Sequence, residues 1–207
     1  MSDDAEELLA FWFGPLDADG APGDAARARW FDPPDGFDAE LARRFGSRVE
    51  EALDGGLAEW AATPRGRLAL VLLLDQLPRN VHRGRARAFA GDARALALAF
   101  EAIERGDDRA LLPIERCFLY LPLMHAEDAS VQERCVEVFT HLAREPAPDV
   151  VARQIAASLS FARTHRDAIA RFGRFPARNA ALGRASTEAE RAFLERHPSG
   201  FAPGDEA

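Results

Sequence analysis

The sequence contains no lysine: all 26 basic residues among its 207 are arginine. It has one tyrosine and two cysteines. Cys117 and Cys135 are too few for a disulfide scaffold, and both fall in helical apolar stripes, where they read as reduced core residues. Strand-favouring residues are scarce as well, with 16 Val, Ile and Thr together against 41 Ala and 23 Leu. Alanine and leucine are strong helix formers, so the composition predicts an all-α chain. The longest apolar run, Leu68 to Leu74, is much too short to span a bilayer. The start Met1-Ser2-Asp3-Asp4 is acidic and has no basic n-region, so no secretory signal is expected. A formal charge of −8 argues against a general nucleic-acid binder, which needs a basic face. A hydrophobic fraction of 47% is what a chain with a real core carries. The expectation is one soluble, cytoplasmic domain over 1–207, with no nucleic-acid and no membrane partner.

Local signals place the helices. Ser2 or Asp3 caps a first helix from Asp3 to Phe13, stopped by Gly14-Pro15. Residues 14–36 are rich in Gly, Pro and Asp and read as a long irregular connection, with a short helical turn over 25–30 and Trp30-Phe31 as its apolar anchor. Asp38 begins a second helix to about Leu53, with Leu41, Phe45, Val49 and Leu53 as its stripe. A short helix with Trp60 follows over 57–62. Thr63 caps and Pro64 opens a helix that reads as central and buried, running to Leu77 and ended by Pro78. Asp92 caps a helix to Arg105. Pro113 opens another to about Leu121, with Pro122 as brake, and Asp128 caps the next, over 129–143. Asp149 caps the longest, to Phe172, with Ile155, Leu159, Ala162, Ile169 and Phe172 facing inward. Thr187-x-x-Glu190 is a capping box opening the last, to Arg196. The tail 198–207 reads as extended or loose. Helices joined by short to medium connections predict an antiparallel bundle or degenerate tetratricopeptide-like hairpins.

Four segments carry chemistry. In Leu74-Asp75-Gln76-Leu77-Pro78-Arg79-Asn80-Val81-His82-Arg83-Gly84, Asp75 falls in what reads as a last helical turn, against the macrodipole, and an arginine is expected to compensate it. In residues 171–184, Pro176-Ala177-Arg178-Asn179 echoes Pro78-Arg79-Asn80, and Arg174 and Arg184 flank it. Phe172 and Phe175 would hold that loop, and converging guanidinium forks would suit a carboxylate or phosphate. In Phe118 to Asp128, His125 and Glu127 could serve as acid–base groups, or His125 as a hydrogen-bonded core residue. His165 lies on or beside the inward stripe of the longest helix and gains interest only if it meets His125. No spacing matches a dedicated metal motif, and nothing calls for a cofactor.

Phe11-Trp12-Phe13-Gly14, Leu74 to Asn80 with Arg83-Gly84 and Ala88-Phe89, Phe118 to Asp128, and Phe172-Gly173-Arg174-Phe175-Pro176 with Arg178-Asn179 together resemble a bacterial family, domain-of-unknown-function family 924. The resemblance runs from about Leu8 to Arg196. It implies a helical, tetratricopeptide-like fold and brings no activity and no catalytic residues with it. The residues themselves point to a small anionic ligand in a polar pocket at helix ends. Asp75, His125, Glu127 and His165 are its candidate acid–base groups. Gln76, Arg79, Asn80, Arg83, Arg174, Arg178, Asn179 and Arg184 are its candidate ligand-binding groups. The competing reading is a helical-repeat module for a protein or peptide partner, without catalysis.

Overall fold

The computed structural model describes residues 2–31 and 33–198, and these contain helices and turns but no strand, only an isolated bridge between Leu16 and Pro22. The loose tail expected over 198–207 lies outside the described residues except for Pro198. Helix α1 spans Asp3–Phe13 under a Ser2 cap, and α2 spans Asp24–Phe31. Helix α3 spans Phe37–Leu53, starting one residue before the expected Asp38. The irregular 14–36 connection thus holds a full two-turn helix. It forms because Trp30 has a place to go: its Nε1 donates to the Trp12 carbonyl at 3.0 Å, and its ring meets Phe118 at 4.6 Å between centroids.

Thr63 caps α4, Pro64–Val71, as the sequence predicts, but Pro78 does not end the helix. The chain passes through a π turn, Leu72–Gln76, straight into α5, Leu77–Val81. The Leu77 amide reaches back five residues to the Leu72 carbonyl. An interior proline removes a helical hydrogen bond and crowds the carbonyl four residues earlier, here that of Leu74. The wider π turn relieves this crowding, and Gly91 presses its bare Cα against the Leu74 oxygen from the other side. Every residue from Leu68 to Leu74 is completely buried, as a central helix requires. Each such leucine contributes about 1.5–3 kcal/mol of hydrophobic stabilisation.

Helix α6 spans Asp92–Arg105 and α7 spans Pro113–Met124. Gly91, not Asp92, occupies the cap of α6, which leaves the Asp92 carboxylate for other partners. Pro122 sits inside α7 instead of breaking it, so His125 arrives as the residue that closes the helix. Helix α8, Ala129–Leu142, has the expected Asp128 cap, whose carboxylate accepts from the Ser130 and Val131 amides. Helix α9 is the longest, Asp149–Phe172, and lies along α8 and against α7. Its buried face is Val151, Ile155, Ser158, Ala162, Ala168 and Ile169, while Leu159 and Phe172 are only partly covered. Helix α10, Glu188–Arg196, opens on the predicted capping box. One apolar cluster runs from Ala5 to Ala162, and Ala168, Ile169 and Phe175 form a small second one beside it. No described helix is long and apolar enough to cross a membrane.

Candidate functional site

The π turn aims Asp75 inward, where its side chain is 0% exposed. The helix continues past Asp75 to Val81, so this carboxylate does not stand at a helix end, as the sequence reading had it. It is compensated by arginine as expected: Arg79 Nη1 lies 3.2 Å from Oδ1, one helical turn along. Gln76 Nε2 also donates to Asp75. From 50 residues away, His125 Nδ1 sits 2.7 Å from Oδ1 and 3.0 Å from Oδ2. Burial alone would push the Asp75 carboxyl up, but Arg79, then His125 and Gln76, more than reverse this and hold it below the usual carboxylate range.

Against an ionised carboxylate His125 Nδ1 can only donate, so the hydrogen on that nitrogen is held by Asp75. Burial pushes the ring below the ordinary histidine value, Asp75 pulls it back, and the Arg79 and Arg178 charges add to the push. His165 stands beside it on α9, with ring centroids 6.2 Å apart, so the two histidines do meet. Its Nδ1 donates to the Phe161 carbonyl at 2.8 Å, and its ring packs on Phe175. Burial, with the neighbouring His125 adding, holds its pKa down to about 3.

The two Pro-Arg-Asn echoes also meet. Arg79 lies 3.0 Å from Asp92 Oδ1, and Arg178 Nη1 donates to Asp92 Oδ2 at 3.1 Å. Arg178 Nη2 donates to the His125 carbonyl at 2.9 Å, and its guanidinium lies against Phe89 and Phe175. Two arginines and two aspartates thus form one connected, charge-balanced chain behind the histidines.

In front of them is a cavity of about 250 Å³. Gln76, Arg79, His125, His165, Gln154 and Ser158 supply its polar wall. Trp30, Cys117, Phe118, Leu121, Met124 and Phe161 supply the apolar remainder. The Cys117 thiol is pushed up to about 12 by burial, so it is no nucleophile. Sequence reasoning missed Gln154, Ser158 and Phe161, although with His165 they recur at four, three and four residues, the spacing of one helical face.

The remaining candidates lie elsewhere. Arg83 is exposed and grips Asp38 at 2.9 and 3.1 Å, while Asn80 donates to the Gln76 carbonyl. Glu127 accepts from Arg184 at 2.6 and 2.9 Å and from the Phe175 amide, outside the cavity. Arg174 clamps Glu190, holding that carboxyl down to about 2, and Asn179 bonds Ser186 and Glu190. Arg174, Asn179, Arg184 and Glu127 therefore form a clasp that fastens the segment after α9 and α10. Among the described residues no group of three His, Cys, Asp or Glu could hold a metal ion.

Half-buried histidines whose protonation is disfavoured are expected to make the fold acid-sensitive. Unfolded histidines protonate near about pH 6.5. His165 does so in the folded chain only at about 3, so stability is complete above the first value and falls between the two. We expect His165→Leu to flatten the loss between pH 6.5 and 4.5 by up to about 1.4 kcal/mol per pH unit, read from urea unfolding at several pH values.

A family model for a bacterial protein of unknown function (DUF924) matches residues 8–198. The solved structure of the protein of unknown function ATU0120 from Agrobacterium tumefaciens is 36% identical. The match covers 93% of this chain and 97% of that one, with a TM-score of 0.75. No curated protein matches the chain.

Proposed function

The chain belongs to the DUF924 family of bacterial proteins, and from that premise we propose that it binds a small anionic molecule in the cavity before Arg79, His125 and His165. In this reading the Asp75–His125 pair is the acid–base group that faces the ligand.

One observation carries this reading: a completely buried carboxylate holds a cavity-lining histidine at 2.7 Å. A buried carboxylate costs desolvation that well-packed apolar residues of the same size would avoid, so a scaffold gains little from it. An oriented imidazole is what proton transfer needs, because Asp75 fixes its tautomer and leaves Nε2 with the lone pair. The π turn points the same way, since such turns are frequent where a helix serves a site. Asp75 does not line the cavity and His125 does, so the ring edge away from Asp75 is the one presented to a ligand. Arg79 takes the charged head, and Trp30, Phe118 and Phe161 take an apolar body. At about 250 Å³ the space is below the roughly 300–1,000 Å³ of sites for drug-sized molecules, so the ligand is smaller than those.

The module reading has less behind it. In that reading Arg79 and Arg178 are hydrogen-bonded staples, and their contacts with Asp75 and Asp92 suit it, but it gives the cavity-lining imidazole of His125 no task.

Thermal-shift and calorimetric screening with small carboxylates and phosphates tests the proposal. Saturation at about a hundred times Kd should stabilise the fold by about 2.7 kcal/mol. Arg79→Gln should weaken binding at least tenfold, the loss of about one charge-assisted hydrogen bond. A broad panel that leaves the melting temperature unmoved would overturn the reading.

A further inference from the structure

We propose that the ligand is a monocarboxylate, not a phosphate, and that it enters with one proton, which His125 carries between the Asp75 carboxylate and that of the ligand. This deepens the function proposed above and rests on it.

The argument is one of charge. The groups that face His125 come from every element around it. Asp75 and Arg79 belong to the stretch through the π turn and α5, and Asp92 is joined to them through Arg79. Cys117 lies on α7 itself, His165 on α9, and Arg178 follows α9. Cys117 and His165 are neutral, and the four ions sum to zero. A ligand carboxylate would therefore place one uncompensated charge in a largely apolar cavity, a costly state. It would also meet the lone pair of His125 Nε2, setting acceptor against acceptor. A single proton on Nε2 cures both faults, because the imidazole becomes a donor on each edge and the site returns to neutrality.

The other half of the head group is provided for. Arg79 uses its Nη1 group on Asp75 and Asp92 and one Nη2 hydrogen on Asp92. Its Nε–H and second Nη2–H make no hydrogen bond among the described residues, and a fork of this kind fits two carboxylate oxygens. A phosphate group is mostly dianionic at pH 7.5 and would leave the cavity at minus one even after His125 is protonated. The balance in this site thus selects single charge over double. Burial holds the His125 ring below the ordinary histidine value, so at pH 7.5 the proton comes from solvent on binding.

Calorimetry with butyrate and benzoate, at one pH in two buffers of different ionisation enthalpy, counts that proton. We expect uptake of close to one proton per site at pH 7.5. Affinity should fall about tenfold per pH unit between pH 6.5 and 8, as linkage requires of a proton-coupled ligand. The His125 ring nitrogen should move to its imidazolium shift in nitrogen NMR as either probe is added. Butyramide and benzamide should take up none. His125→Gln should bind butyrate with no pH dependence, and if that variant fails to fold, the proton count on the native chain decides. Carboxylate binding without proton uptake would overturn this inference and leave the proposed function standing. Binding of inorganic phosphate in place of the carboxylates would do the same. If neither class binds, both fall.

Discussion

Replacing Asp75 with alanine is expected to destabilise the fold by about 3–5 kcal/mol, the range for removing one partner of a buried ion pair. The carboxylate is completely buried and satisfies three groups at once: Arg79, Gln76 and the His125 Nδ1–H. Alanine leaves all three facing a void lined by polar hydrogens. Arg79 retains Asp92, so part of the loss is recovered there, whereas among the described residues His125 pairs with no second carboxylate. Asp75→Asn keeps the shape and removes only the charge, so its cost should be smaller, about 1–3 kcal/mol. Asp92→Ala should cost less than Asp75→Ala, because the Asp92 side chain is 22% exposed and water can replace it. Urea unfolding of the three variants measures the order. A loss below about 1 kcal/mol for Asp75→Ala would mean that water already solvates the carboxylate, which would contradict its burial.

The parts of the fold that the sequence made legible are those decided within four residues. Ser2, Thr63 and Asp128 cap their helices as expected, because a side-chain oxygen needs only the amide two or three positions on. The Thr187–Glu190 box is legible for the same reason. Pro78 and Pro122 misled because a proline stops a helix only when nothing else settles the carbonyl it orphans. For Pro78 the π turn meets that condition, and the turn fits only because Gly91, thirteen positions further on, brings no Cβ against the Leu74 carbonyl. Helix α2 shows locally only as a short turn over 25–30, since the contact that anchors its full length, Trp30 with Phe118, lies 88 positions away.

The candidate site divides along the same line. Asp75 and Arg79 are four apart on one helix, so their pairing could be read locally. Asp75 with His125 spans 50 positions and leaves no local trace. Arg83, Arg174 and Arg184 had the same look as Arg79 and Arg178. A guanidinium joined to the buried acids and one tying down a surface segment have identical sequence signatures, and only the partner carboxylates separate them. Arg79 and Arg178 share Asp92, whereas Arg83 holds Asp38, Arg174 holds Glu190, and Arg184 holds Glu127. Asp92 itself was legible as an acid at a helix start and not as the hinge between two arginines, because nothing local required Gly91 to take the cap.

Gly91 makes the second large effect. A Cβ built on it would fall 2.2 Å from the Leu74 carbonyl oxygen and 2.9 Å from the Leu74 carbonyl carbon and Cα. These are backbone atoms in the most buried stretch of the chain, and they cannot step aside as the end of a flexible side chain would. Its φ of −89° is one that any residue adopts, so conformational freedom is not the reason for glycine here; space is. Gly91→Ala should therefore cost about 3 kcal/mol or more, the upper range for forcing extra volume into a packed core. The displaced atoms belong to the residue before Asp75, so the loss should reach the site. The α6 start must move off the π turn, Asp92 moves with it, and the Arg79–Asp92–Arg178 chain opens. Carboxylate binding and stability should then fall together. Gly46→Ala is the control: it sits in α3 with nothing within 4 Å of a built Cβ, and should gain about 0.5–1 kcal/mol from helix propensity. If the Gly91 variant unfolds at the native urea midpoint, the close approach to Leu74 is not what holds this turn.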